Sequence, residues 1–140
     1  MGDYKSLSHV RWECKYHIVW IPKYRRKTLY GKIRRRFVQI TKELCVQKGI
    51  EIIEGHAMPD HVHLCLSFPP KYSISYVVGF LKGKSAIRLH REFFRGRGPR
   101  NFWARGYFVS TVGLNLRFVR EYIRRQEEAD RRQMELNFDK

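Results

Sequence analysis

Acidic residues are scarce in this chain. Thirteen Asp and Glu stand against 29 Lys and Arg in 140 residues, a formal net charge of +16. So much like charge on a small domain costs stability unless a polyanion neutralises it, and nucleic acid is the polyanion that fits best. An anionic membrane surface is the alternative, but no long apolar run or lipidation signal accompanies the charge, so no membrane partner is expected. The start, Met1-Gly2-Asp3-Tyr4-Lys5, leads into polar sequence and does not read as a secretion signal. Cysteine is sparse too. Cys14, Cys45 and Cys65 are odd in number and widely spaced, which excludes a disulfide framework and a zinc knuckle. Buried thiols in a reducing, cytoplasmic setting are the simpler account. A P-loop is missing, so no nucleotide cofactor is expected. Internal repeats and low-complexity segments are missing as well.

What is present is an ordinary hydrophobic content of 43% and enough length for one domain, residues 1–140, with a real core. Glu13 to Pro22 alternates, with Cys14, Tyr16, Ile18 and Trp20 on one side, and reads as a first strand. Lys23 to Lys27 is a basic connector. Ile33, Phe37, Ile40, Leu44 and Cys45 recur at helical spacing, and Gly49 is a suitable stop. Ile50 to Met58 reads as a second strand, turned by Pro59-Asp60 into a third. Ser73 can cap a second helix with an apolar stripe at Ile74, Val77, Val78, Leu81, Leu89 and Phe93. Phe94 to Trp103 is a Gly/Arg-rich loop, Tyr107 to Thr111 a fourth strand, and Leu116 to Leu136 a last helix. The order β-α-β-β-α-β-α predicts an α+β, ferredoxin-like (split βαβ, RRM-like) antiparallel sheet at about residues 13–111. A C-terminal helix follows, at about 114–136.

The third strand contains His61 and His63 two residues apart. Alternation puts His61, His63, Cys65 and Ser67 on one face and Val62, Leu64, Leu66 and Phe68 on the core face. Two imidazoles pointing the same way are a ready pair of metal ligands, although taken alone the pair reads first as polar residues on a wet strand face. On the last helix Tyr122 and Gln126 are four apart and project together. A tyrosine hydroxyl can be a nucleophile and an amide oxygen a third ligand, or the pair can be core and solvated surface. Asp60 can orient His61, but its place after proline makes the turn role preferable. His56 can line the site from the neighbouring strand, with a structural role preferred, and His17 and His90 belong to no motif.

The positive charge falls in blocks. Lys23, Arg25, Arg26, Lys27, Lys32, Arg34, Arg35 and Arg36 have no acidic interruption. Lys82, Lys84, Arg88, Arg91, Arg95, Arg97, Arg100 and Arg105 are opposed by Glu92 alone, and Arg117, Arg120, Arg124 and Arg125 lie beside Tyr122. Phosphate contact by the first two blocks is the preferred reading, since unneutralised blocks repel themselves. Candidate DNA contacts are Lys23, Arg25, Arg26, Lys27, Lys82, Lys84, Arg88, Arg105 and Arg125. Aromatics among these cations, such as Tyr24, Tyr30, Phe94, Phe102 and Trp103, suit unpaired bases.

Five stretches together carry a resemblance: Tyr16-His17-Ile18-Val19-Trp20-Ile21-Pro22-Lys23-Tyr24-Arg25-Arg26-Lys27, Met58-Pro59-Asp60-His61-Val62-His63-Leu64, Leu81-Lys82-Gly83-Lys84-Ser85-Ala86, Trp103-Ala104-Arg105-Gly106-Tyr107-Phe108-Val109-Ser110-Thr111-Val112-Gly113 and Tyr122-Ile123-Arg124-Arg125-Gln126. In this order they resemble the small single-tyrosine HUH transposases, called TnpA, of bacterial and archaeal insertion sequences. The resemblance implies a homodimer with a ferredoxin-like core that excises and inserts its element as single-stranded DNA, recognising hairpins near the ends. It implies His61, His63 and Gln126 as ligands of Mg2+ or Mn2+. It implies Tyr122 as the nucleophile that becomes linked to a 5′ phosphate and frees a 3′-OH. It also implies composite sites, with the histidines of one subunit and the tyrosine helix of the other. Arg125 departs from the asparagine frequent at that position. A domesticated repeat-associated tyrosine transposase and a non-catalytic RRM-like single-strand binder are the alternatives. Against the latter, the corresponding strand here carries histidines and no aromatic RNP-type run is visible.

Overall fold

The computed structural model describes residues 5–7, 10–12, 14–23, 29–95, 102–113 and 115–138. The main sheet holds four strands in the order β4-β5-β3-β6: β3 Tyr16–Trp20, β4 Glu51–Met58, β5 His61–Ser67 and β6 Phe108–Ser110. Every neighbouring pair is antiparallel. Two helices, α1 Gly31–Lys48 and α2 Ile74–Phe93, connect them in the ferredoxin-like order, and α3 Leu116–Phe138 follows. A short antiparallel hairpin, β1 Lys5–Leu7 with β2 Val10–Trp12, precedes the sheet. The sequence reading did not anticipate it. Two strands are shorter than alternation suggests: Tyr16–Trp20 within Glu13 to Pro22, and Phe108–Ser110 within Tyr107 to Thr111.

Local chemistry sets the element ends. Gly49 ends α1 with φ of 68°, a left-handed conformation that glycine adopts without a side-chain clash. The Ser73 hydroxyl accepts from the Tyr76 amide at 3.0 Å and so caps α2. Pro59 and Asp60 form the two-residue turn that sets Met58 opposite His61. That turn fixes the register of β5, and the register decides which face receives the histidines.

One face of the sheet is dry. Ile18 and Trp20 of β3 and Val62, Leu64 and Leu66 of β5 pack against Phe37, Ile40 and Leu44 of α1 and Val77, Val78, Leu81 and Leu89 of α2. Trp20, Phe37 and Trp103 meet edge-on at centroid distances of 5.3–6.4 Å. The helix stripes and the core side of β5 are those expected from spacing. Cys45 and Cys65 are buried, as expected of inert thiols, but Cys14 is exposed, because β3 begins only at Tyr16. Burial raises the Cys45 thiol to about 12.

Candidate active site

The opposite face of the sheet carries the histidines. Side chains directly across an antiparallel pair share a face, so the register reads out a row His56–His63–Val19–Phe108 across all four strands. The adjoining row is Glu54–Cys65–His17–Ser110. Four imidazoles therefore gather here. His61 Nδ1 lies 2.8 Å from Asp60 Oδ1, which orients the ring and leaves Nε2 as its outward donor atom. Asp60 thus serves both the turn and the histidine, whereas the sequence reading preferred the turn alone. His63 Nε2 lies 3.4 Å from His17 Nδ1, and His17 Nε2 lies 3.8 Å from Cys65 Sγ. His17 is the residue that motif reading passed over, although its alternation against Tyr16, Ile18 and Trp20 already places it on this face. His56 is opposite His63 in register, but it is exposed and pairs with Glu54 at 2.8 Å.

His63 titrates below the usual histidine range. Burial is the main cause, followed by the positive neighbour His17, while Glu54 opposes the shift. A neutral imidazole with a free lone pair is the state a metal requires.

Helix α3 carries Tyr122 and Gln126. The Tyr122 ring sits 6.1 Å from that of Phe108, and its hydroxyl is shielded from solvent. Phe108 is two strands from His63 in the same row, about 10 Å of backbone at the usual strand spacing. Gln126 reaches the preceding turn: its Nε2 lies 4.0 Å from where a β-carbon on Gly106 would stand. Tyr122 and Gln126 thus rest on consecutive parts of one segment, residues 106–108. Otherwise α3 makes sparse backbone contact with the other elements.

Among the described residues no group of three or more His, Cys, Asp or Glu is arranged to hold a metal ion. Two imidazoles completed by an amide or substrate oxygen form a different donor set. His61, oriented by a carboxylate, and His63, held neutral, suit one half of such a site.

The basic blocks look different in space. Arg36 grips Glu92 with two nitrogens at 2.7 and 2.8 Å, and Arg88 meets Glu43 at 2.8 Å, tying α1 to α2. Arg34 Nε donates to the Ala57 carbonyl at 2.7 Å. Lys82 is turned inward onto two carbonyls. Arg125 is exposed and pairs with Glu121 at 3.1 Å. Lys32, Arg35, Lys84, Arg91 and Arg105 are surface cations, and Lys23 is half-buried. Arg25, Arg26, Lys27, Arg97 and Arg100 lie outside the described residues.

The arrangement is thus a four-stranded antiparallel sheet with two helices on one face, histidines on the other and a trailing helix bearing a tyrosine. The sequence model of the family described as "Transposase IS200 like" matches residues 10–126. The chain belongs to that family. It is 48% identical over 135 residues to the transposase for insertion sequence element IS200 of Salmonella typhimurium, covering 94% of this chain and 88% of the relative. It is 33% identical over 123 residues to the ISDra2 transposase TnpA of Deinococcus radiodurans, covering 85% and 88%. A crystal structure of a transposase from Deinococcus radiodurans R1 superimposes with a TM-score of 0.78 at 32% identity, covering 87% of this chain and 96% of that one. A REP-associated tyrosine transposase bound to a REP hairpin shares the fold, with a TM-score of 0.57 at 14% identity over 88% and 68%. The protein is therefore a transposase, an enzyme that cleaves DNA and transfers strands. Among the described residues no helix is long and apolar enough to cross a membrane.

Proposed function

We propose that this transposase cleaves and rejoins single-stranded DNA at hairpin-marked element ends through a 5′-phosphotyrosine, with Tyr122 as nucleophile and His61, His63 and Gln126 holding Mg2+ or Mn2+. The observation that carries the reading is the shared sheet face: both histidines project from it, and Tyr122 rests on Phe108 in the same cross-strand row.

The chemistry follows from the side chains. The Tyr122 oxygen bonds to phosphorus as the bond to the 3′ oxygen breaks. The phenolic proton is given up and the departing oxygen takes a proton. The phosphotyrosine preserves the bond energy, so the 3′-OH can reverse the step without ATP. His61 and His63 present imidazole nitrogens, Asp60 holds the first of them in line, and the Gln126 amide supplies an oxygen. When bound, the divalent cation withdraws charge from the phosphate and orients it for in-line attack. His63 and Phe108 stand two strands apart in one chain, so we place the two halves of each site on different subunits of a homodimer, with His61 and His63 in cis and Tyr122 and Gln126 in trans.

The test is cleavage of a labelled single-stranded element end, scored for a covalent adduct. Wild type is expected to form one in the presence of Mn2+. Tyr122→Phe is expected to form none while hairpin binding stays within about two-fold, since only the hydroxyl is lost. An adduct from Tyr122→Phe rejects the nucleophile assignment.

A further inference from the structure

Two stretches that this chemistry leaves without a role meet in the structure. Leu81-Lys82-Gly83-Lys84-Ser85 lies on α2, and Trp103-Ala104-Arg105-Gly106-Tyr107 leads into β6. Lys82 Nζ donates to the carbonyls of Ala104 and Gly106, each at 2.8 Å. Three residues on, the fully buried Ser85 hydroxyl accepts from Trp103 Nε1 at 3.1 Å and donates to the Lys82 carbonyl at 3.2 Å. The clamped segment is also tied to the residue that follows β3, where the Ala104 amide donates to the Ile21 carbonyl at 2.9 Å. Its far end is the seat of α3: Gly106 beside Gln126, and Phe108 beside Tyr122.

We infer that Lys82 is a positioning residue for the tyrosine helix: by holding the Ala104 and Gly106 carbonyls to α2, it fixes the seat on which Tyr122 and Gln126 rest. The inference builds on the roles proposed above for those two residues.

Three observations support it. First, among the described residues α3 makes few backbone contacts with the other helices and strands, so movement of residues 106–108 reaches Tyr122 and Gln126 directly. Second, Gly106, whose φ of 90° glycine adopts readily, has no side chain to pack the segment in place, so the Lys82 bond to its carbonyl restrains it. Third, Lys82 is an expensive way to fill this space. Burial brings its ammonium down to about 8. A methionine would fill the volume without a desolvated charge, so an ammonium here trades stability for two directed bonds. The clamp lies within one chain, so it seats Tyr122 and Gln126 whichever subunit supplies the histidines.

The test uses full-length wild type, Lys82→Met, Lys82→Arg, Gln126→Ala and the double variant Lys82→Met/Gln126→Ala. Mn2+ affinity is measured by calorimetry with hairpin-forming single-stranded DNA present. Amide exchange is followed at residues 104–108. Lys82→Met is expected to speed exchange there about ten-fold and weaken Mn2+ about ten-fold, the scale of lost ligand support. Lys82→Arg, which still donates, is expected to recover most of both. The double variant should bind Mn2+ no more weakly than Gln126→Ala, because both lesions act through one amide. Wild-type affinity and exchange in Lys82→Met, or losses that add in the double variant, would overturn the inference. If Lys82→Met does not fold, Lys82→Gln carries the same cycle. His63→Ala separates the two levels. If it binds Mn2+ as wild type does, the metal reading fails, and the clamp is then decided by amide exchange alone.

Discussion

Asp60 shows how much one side chain can add to a motif. Its carboxylate lies 2.8 Å from His61 Nδ1, which selects the ring orientation and leaves Nε2 for a ligand. Asp60→Ala is expected to weaken Mn2+ binding about 10- to 100-fold, the usual effect of losing a carboxylate behind a ligating histidine. Titration calorimetry checks this, and wild-type affinity in the variant would return Asp60 to a turn role alone. Lys82 makes a pH prediction. Its folded-state value of about 8 lies below the 10.5 of a free lysine. Between these values the unfolded chain binds more protons than the folded one, so this group's contribution to stability rises with pH. The wild-type unfolding midpoint should therefore gain on that of Lys82→Met between pH 8 and 10.5, measured by chemical denaturation. A constant gap would show that Lys82 titrates normally.

Among the elements, α1 and the β4–β5 hairpin owe their ends to short-range chemistry. Gly49 has φ of 68° and open space around its β position, so its role is conformational alone. Gly49→Ala should cost about 1 kcal/mol of stability and leave cleavage unchanged. Gly106 differs, because φ is 90° and an added β-carbon would touch Gln126. Gly106→Ala is expected to cost a similar amount of stability, about 1 kcal/mol, and to reduce adduct formation as well. Denaturation and adduct assays run side by side separate the two glycines. A Gly106→Ala protein with full adduct yield would mean that α3 does not depend on its seat.

Over the whole molecule, the net charge of +16 sets the response to salt. With roughly six to ten phosphates contacted, affinity for a single-stranded hairpin should fall about 10³- to 10⁵-fold between about 50 and 200 mM salt. A flat response in a binding titration would exclude phosphate-led recognition. The subunit arrangement has a sharper test in mixed dimers of His63→Ala with Tyr122→Phe. With composite sites, one site carries both lesions and the other neither, so cleavage returns. With sites built inside each chain, the verified mixture stays inactive.

Hydrophobic period and turn chemistry determined much of this protein from its sequence. The sheet side of Val62, Leu64 and Leu66, the stripes of α1 and α2, the stop at Gly49 and the cap at Ser73 all follow from neighbours within a few residues. The same period-two logic put His61 and His63 on one face. Only tertiary structure decided the rest, because pairing across the sheet and between helices joins residues far apart in the chain. It brought His17, 46 positions away, to 3.4 Å from His63. It also turned two basic blocks into ion pairs. Arg36 found Glu92, 56 positions on, and Arg88 found Glu43. A charge run in sequence lists only local neighbours, whereas a folded arginine takes whichever carboxylate the packing presents. Lys82 is the clearest case. It reads as one more cation in a basic stretch, and the fold turns it inward onto the Ala104 and Gly106 carbonyls, beneath the segment that carries the tyrosine helix.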